Sequence, residues 1–487
     1  MQRITPDRRW PLLDVSASRD LERSAAAQLP PHTLMQRAGL AVARLALATA
    51  PHARTIWVAC GPGNNGGDGI EAAMHLRQWG KQPVVTWLGD EARAPADTMA
   101  SVQRARQGGV AFGAQPPRWD LAIDALLGLG STRPLEGTMA GWALAMGAAA
   151  VPVLAVDLPS GLDSNTGAGH AVRATHTLTL LSLKPGLFTA SGRDASGQVW
   201  FDDLGVGQGP QEPSAWLGGP PAAPGRLHAS HKGSYGDVAV IGGATGMTGA
   251  ALLAASAALH AGAGRVFVVM LDGGTLSVDA SQPELMFRQW DSLDLARMAV
   301  ACGCGGGDAI RAVLPKVLST AGALVLDADA LNAIAADAQL QSLLQARSRR
   351  QRPTVLTPHP LEAGRLLACE AAQVQQDRMR ASRQLVDRFG CTVVLKGSGS
   401  IIAAPGSPPT INPTGNARLA TAGTGDVLAG MVASRLAAGA SAFDAAAGAV
   451  YLHGLAADEW PEEQPLTAFA LARQAARRPT PGPWSRP

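Results

Sequence analysis

NPTGNARLATAGTGDVLAG, residues 412–430, is the stretch on which the reading of this chain turns. Thr421, Ala422, Gly423, Thr424, Gly425 and Asp426 form a small-residue turn, and the run after it, VLAGMVASRLAAG, has apolar residues at helical spacing and ends in glycine. The turn therefore opens a helix. A helix start presents amide N–H groups without partners inside the helix and the positive end of the helix dipole, and glycines let an anion approach them closely. That makes a phosphate seat, with Asp426 in it as a carboxylate able to accept a proton. The alternative, on these residues alone, is an ordinary helix cap with Asp426 as the capping side chain.

Outward from this stretch, 487 residues exceed one ordinary core, and two domains are expected. Apolar residues make up 46% and charged residues 16%, which suits a well-buried enzyme and excludes a disordered or fibrous chain. A formal charge of +3 without a basic run argues against nucleic acid or a membrane surface as partner. Cys60, Cys302, Cys304, Cys369 and Cys391 are odd in number and scattered, which points to a reducing compartment. Cys302 and Cys304 bracket one glycine with no further ligands at metal spacing, so no zinc site is expected. The start, MQRITPDRRW, lacks an apolar export core, and no run approaches the about 18–20 apolar residues of a membrane span. A cytoplasmic protein is expected.

The first half alternates helices and strands. Helices are expected over residues 19–28, capped by Ser16 or Ser18, and over residues 33–50. TIWVAC, residues 55–60, reads as a buried strand, followed by the glycine loop GPGNNGGDG and a helix over residues 70–79. Gly61, Gly63 and Gly66 satisfy G-x-G-x-x-G, and Asp90 stands at about the distance of a ribose-binding acid, so a dinucleotide site and a plain tight turn both remain open. Asn64, Asn65, Gly66, Gly67 and Asp68 carry polar groups beyond what a phosphate needs; amide oxygens bind a hard cation or a substrate amide. Strands over residues 120–127 and 151–157 place Asp124 and Asp157 at the sheet edge where open α/β folds bind ligands. Residues 205–227 are rich in Pro and Gly and read as a linker, with the boundary near residue 220.

The second half restarts the pattern. A strand over residues 235–241 runs into the glycine loop of residues 242–249 and an Ala-rich helix. MAVAC runs into Gly303, Cys304, Gly305, Gly306 and Gly307, and LVLDADALN ends a strand in Asp327 and Asp329. His359 sits in a Pro-flanked turn, and Lys396 begins the turn Lys396-Gly397-Ser398-Gly399-Ser400 between two strands. A satisfied turn histidine, a solvated lysine and helix-capping acids would explain these residues singly. Together, a phosphate seat, a turn able to hold a nucleotide and an acid over the seat suggest phosphoryl transfer to a hydroxyl, without the P-loop motif.

These residues carry a resemblance. LMQRAG, GPGNNGGDG, DALLG, VDLPSGLDSNTG and LKPGL in the first half resemble the bifunctional NAD(P)H-hydrate repair enzymes, as do HKGSYG, VIGG, GAALLAA, GAGRV, DADALN, LTPHPLEAGRL, VLKG and TGNARLATAGTGDVLAG in the second. The resemblance spans nearly the whole chain. It implies an α/β protein: a Rossmann-like three-layer αβα epimerase domain over residues 1–215, a linker over 216–224, a ribokinase-like dehydratase domain over 225–475 and a flexible tail over 476–487. It implies epimerisation of the R and S hydrates of NADH and NADPH, and dehydration of the S form with ADP to give NAD(P)H, AMP and phosphate. A homo-oligomer is expected, with no nucleic acid or membrane partner.

For the epimerase the resemblance implies hydrate binding by Asn64, Asn65, Gly66, Gly67 and Asp68, by the turn Gly128, Leu129, Gly130, Ser131, Thr132, Arg133 and Pro134, and by Asp157. It implies K⁺ held by Asn65, Asp124 and Ser160. For the dehydratase it implies nucleotide contacts from Lys396, Gly397, Ser398, Gly399, Ser400 and Gly425, and hydrate contacts from Ala250, Gly305, His359 and Asp426, with Mg²⁺ assisting. Asp157 and Asp426 are the expected catalytic residues. One departure stands out: the family's usual Gly-Pro-Gly-Leu-Gly is here Gly303-Cys304-Gly305-Gly306-Gly307.

Overall fold

The computed structural model describes residues 1–130, 134–207, 209–222 and 228–474. The chain divides into two compact units, Met1–Thr5 with Trp10–Leu217, and Pro6–Arg9 with Gly218–Pro487. Residues 223–227 and 475–487, which include part of the expected linker and the whole expected tail, lie outside the described residues.

The first unit is built on a sheet ordered Gln2–Arg3, Gln198–Asp202, His176–Leu180, Val153–Val156, Leu121–Ala125, Thr55–Cys60, Gln82–Trp87 and Ala111–Phe112. All neighbours run parallel except the first pair. Parallel strands need crossover helices, and these cover both faces. Helices Thr33–Thr49, Asn64–Gln78 and Ala96–Gln107 close a core around Ile56, Val58, Ile70, Val85, Ile123 and Leu154. On the opposite face Trp57, Ala59, Ala122, Val153 and Met146 of helix Gly137–Ala148 form a second core, with the Trp57 and Trp119 ring centroids 4.8 Å apart. This is a three-layer αβα fold.

Two expectations for this unit are corrected. The first helix spans Val15–Ala26 and is capped by Asp14, whose Oδ1 accepts from the Ala17 amide at 2.9 Å. Neither serine caps it: Ser18 is buried, its Oγ 2.9 Å from Ser182 Oγ. The helix after the glycine turn starts at Asn64, capped by Gly63, rather than at residue 70. Glycine disfavours helix in isolation, yet here close packing wins: a Cβ on Gly66 would overlap the Gly61 carbonyl oxygen. Residues 64–68 are thereby carried in the first turns of a helix pressed against the sheet edge.

The second unit contains parallel strands ordered Met286–Phe287, Arg265–Met270, Asp237–Gly242, Ala299–Cys302, Ala323–Leu326, Thr354–Leu356 and Thr392–Leu395, continued by antiparallel Ile401–Ala403 and Thr410–Ile411. Helices Thr248–His260 and Thr424–Ala437 pack face to face in an Ala- and Val-rich core. Small residues set their spacing, since a Cβ on Gly430 would overlap the Ala254 carbonyl oxygen.

The helix at the decisive stretch starts at Thr424 and is capped by Gly423, with φ 89° and no side-chain cap. Only glycine adopts that backbone readily. Asp426 lies inside the first turn, so the capping alternative does not hold. Thr424 Oγ1 fastens the turn, its one proton shared between the carbonyls of Leu419 at 2.8 Å and Thr421 at 2.9 Å. Buried His453 adds a bond between its Nε2 and the Thr424 carbonyl at 2.9 Å.

Candidate active sites

In the first unit a cavity of about 620 Å³ opens over the C-terminal strand edge, lined among others by Glu22, Asn65, Asp68, Gly128, Asp157 and Lys184. Asn64, Leu129 and Gly130 also line it, while Gly66 and Gly67 lie buried in the helix turn beneath. Ser131, Thr132 and Arg133 lie outside the described residues, and Pro134 is exposed beside them.

Asp157 directly follows its strand with φ 66°, a left-handed conformation that Asp adopts more readily than most non-glycine residues. Its Oδ1 pairs with the buried Lys184 ammonium and accepts from the Leu180 amide at 3.2 Å and from Thr179 Oγ1 at 3.4 Å. Lys184 is itself fixed, donating to the Leu180 carbonyl at 2.8 Å and Thr179 Oγ1 at 3.1 Å. Nothing in the spacing of SLKPGLF separates this lysine from a turn residue; only the fold brings it to Asp157. Burial, with Asp157, Glu22, Glu71 and Asp97 around it, pushes the Asp68 carboxyl well above its ordinary range.

Behind the cavity, Asp124 is fully buried and its carboxyl is pushed up to about 6 by burial, against the opposing bonds it accepts from Ser160. Ser160 Oγ donates to Asp124 Oδ1 at 2.6 Å and the Ser160 amide to Oδ2 at 2.8 Å. Asn65 lies against Gly128, and its buried Nδ2 makes no hydrogen bond. Asp90 is exposed and caps its own turn through the Ala92 amide at 3.0 Å. Asp90, the acid that the dinucleotide alternative called for, is not among the residues lining the cavity.

In the second unit the polar groups gather at the helix start at Thr424. Lys396 Nζ donates to Asp327 Oδ1 at 2.6 Å, lies 4.0 Å from Glu362, and stands 3.3 Å from where a Cβ on Gly425 would project. The ligating atoms of Asp426, Asp327 and Cys304 lie within 4.8 Å of one another. Burial and the neighbouring Asp327 push the Asp426 carboxyl up to about 6, while the Cys304 thiol hydrogen bond opposes that rise. The turn that departs from the family pattern thus aims a thiol at Asp426. Its Gly305 sits against Ala250 and Met247, bringing two of the expected hydrate residues together.

His359 serves the backbone. Its Nδ1 accepts from the amides of Leu361 at 3.1 Å and Glu362 at 3.2 Å, capping helix Pro360–Leu367, and Glu362 returns the bond to the His359 amide at 2.8 Å. With Nδ1 engaged as acceptor, the neutral ring carries its proton on Nε2, 3.2 Å from Glu362 Oε1. Burial and Lys396 lower the His359 pKa, consistent with this neutral form. Burial pushes Glu362 up to about 7.

The Lys396 turn is closed by Ser400, which accepts from the Gly397 amide at 3.3 Å, with Ser398 and Gly399 between them. Buried Arg378 lies beneath, donating to the carbonyls of Leu395 at 3.1 Å and Lys396 at 3.2 Å. Arg378→Met should leave those carbonyls unsatisfied, cost about 2–4 kcal/mol in chemical denaturation and raise the KM for the nucleotide more than it lowers kcat.

Two doubly wound α/β units, each with polar residues gathered at the C-terminal strand edge, define a two-site enzyme of small molecules. The comparisons with known proteins are specific. Residues 31–186 match the family described as YjeF-related protein N-terminus, and residues 238–477 match NAD(P)H-hydrate dehydratase. The chain is similar to the bifunctional NAD(P)H-hydrate repair enzyme of Escherichia coli, 36% identical over 90% of this chain and 87% of that one. It is also similar to the ADP-dependent (S)-NAD(P)H-hydrate dehydratase of Neisseria meningitidis, 44% identical over 52% of this chain and 86% of that one. A solved ribokinase-like protein of Enterococcus faecalis shares 26% identity over 52% of this chain and 89% of its own, with a TM-score of 0.43. The chain belongs to the family of bifunctional NAD(P)H-hydrate repair enzymes.

Proposed function

We propose that this chain repairs hydrated nicotinamide coenzymes, the first unit exchanging the R and S epimers and the second dehydrating the S form of NADHX or NADPHX with ADP. The observation that carries the reading is the pairing of Asp426 with a glycine-capped helix start beside Lys396, a carboxylate base over an anion seat. In the hydrate the hydroxyl sits on the carbon beside the ring nitrogen. Asp426 takes its proton as the oxygen attacks the terminal phosphoryl group of ADP and AMP departs. Amides at Gly425 and the Lys396 ammonium offset the developing charge, with the turn from Gly397 to Ser400 holding the nucleotide. Phosphate then leaves carbon as the nitrogen lone pair forms a C=N bond, and loss of a proton from the adjacent ring carbon restores NAD(P)H.

Ala250, Gly305 and the Nε2 edge of His359 shape the hydrate pocket in this reading. The carboxylates of Asp327 and Asp426 are hard oxygen donors that suit Mg²⁺, which when bound with the phosphates neutralises their charge. In the first unit the Asn65 amide oxygen, the Asp124 carboxylate and the Ser160 hydroxyl are hard oxygen donors that would hold K⁺, which when bound would order the turns around the hydrate. Asp157 is the proton-accepting residue there, and residues 64–68 and the turn from Gly128 to Pro134 hold the hydrate. We place the epimerase over residues 1–215, the linker over 216–224 and the dehydratase over 225–475.

Five free cysteines support a cytoplasmic setting, and among the described residues no helix is long and apolar enough to cross a membrane. Helix Gly137–Ala148 carries no charge and exposes Leu144 at 75%, which supports self-association.

The test is incubation of the full chain with NADH hydrate and ADP while the absorbance of reduced nicotinamide is followed. Recovery with AMP formation is expected; a stably phosphorylated product would replace this reading with that of a small-molecule kinase. The pH dependence has a fixed sign. Asp426 must be deprotonated to act, and its carboxyl is raised to about 6, so the dehydration rate should fall as pH drops through about 6.

A further inference from the structure

We infer that Asp68 is a catalytic acid of the epimerisation, so that the hydroxyl leaves as water under Asp68 and a water returns under Asp157. The inference rests on the epimerase reading of the first unit and adds a role that substrate binding alone does not give. It starts from strand order. Val153–Val156, Leu121–Ala125 and Thr55–Cys60 are successive neighbours in the sheet. Asp157 follows the first of them, and Asp68 lies on the helix that follows the third. The turn containing Gly128 follows the middle strand, so a ring seated over that strand end meets one carboxyl from each flank, both lining the same cavity.

The two carboxyls have different partners. Asp157 is anchored by Lys184 through Oδ1. Around Asp68, Glu71 of the same helix is paired with Arg104, Asp97 of helix Ala96–Gln107 with His32, and Asp157 with Lys184. Among the described residues Asp68 itself makes no ion pair, and it faces Glu22 of helix Val15–Ala26 and the buried Cys60 thiol as well. Four acids and no cation of its own favour the protonated carboxyl, which is the form an acid catalyst needs.

The step balances. Asp68 gives its proton to the hydroxyl, the C–O bond breaks with release of water, and the nitrogen lone pair forms a C=N bond. Water adds to that carbon from the other flank, the electron pair returns to nitrogen, and the proton of the incoming water goes to Asp157. Glu22 lines the same cavity as Asp68 and Asp157 and relays the proton back to Asp68 between turnovers.

The test uses the full chain, one purified epimer of NADH hydrate, no ADP, and heavy-oxygen water. Wild type should accelerate epimer exchange and incorporate heavy oxygen at the same rate. Asp68→Asn should lower kcat for exchange by about 10²–10⁴-fold, a larger loss than any in hydrate affinity, and Asp68→Glu should restore part of the rate. The wild-type rate should also fall as pH rises through the elevated Asp68 pKa, a limb absent from the Asn variant. Near-wild-type exchange in Asp68→Asn, or epimer exchange without heavy-oxygen uptake, overturns the inference while leaving the epimerase reading intact. If Asp68→Asn loses hydrate binding too, the wild-type pH profile decides, and a rate unchanged on the alkaline side overturns it. A wild-type chain that leaves the epimers at their spontaneous rate overturns the epimerase reading and the inference with it.

Discussion

Asp426→Asn should lower the kcat for recovery of reduced nicotinamide by about 10²–10⁴-fold, while exchange of the two hydrate epimers continues at the wild-type rate. The replacement preserves the shape of the side chain in the first turn of helix Thr424–Ala437, and the Gly423 cap is untouched. What it removes is the lone pair that receives the hydroxyl proton. Nucleotide affinity should change far less than turnover, because Lys396 and the helix-start amides remain. Stopped absorbance traces with ADP in excess, alongside chromatography of the epimers, read both quantities. Recovery within about threefold of wild type would remove Asp426 from the role of base.

Lys184→Met should be the most damaging single change in the first unit. It leaves Asp157 buried with only the Leu180 amide and Thr179 hydroxyl as donors, and removing one partner of a buried ion pair costs about 3–5 kcal/mol. For a unit of this size that corresponds to a Tm lower by roughly 10 °C, read by calorimetry. The carboxylate also loses what fixes its orientation, so epimer exchange should fall at temperatures where the variant is still folded. Adding Asp157→Asn to it should return part of the stability without returning activity, because the uncompensated charge disappears with the base. A double variant no more stable than Lys184→Met would mean that the cost was one of packing.

Much of this was legible in the residues. Strand, small-residue turn and helix alternate clearly enough to place Asp124, Asp157 and Asp426 along two sheet edges, and Thr55–Cys60 falls where its apolar run puts it. The misread helix starts have local causes: Asp14 outcompetes the later serines as a cap, and Gly66 is in a helix because only glycine fits against the Gly61 carbonyl. The partners were not legible. Lys184 meets Asp157 across 27 residues and Lys396 meets Asp327 across 69, separations at which no periodicity reports contact. Cys304 looked like a break in a glycine turn, and its approach to Asp426 appears only once that turn is folded under the helix start.

The notch formed by Gly430 against the Ala254 carbonyl carries a consequence for variation within such enzymes. With no slack between these two helices, the phosphate shelf is a fixed datum from which the rest of the crevice is measured. Adaptation to a bulkier or more highly phosphorylated coenzyme then falls to exposed side chains such as Leu361, 48% exposed and two residues after His359.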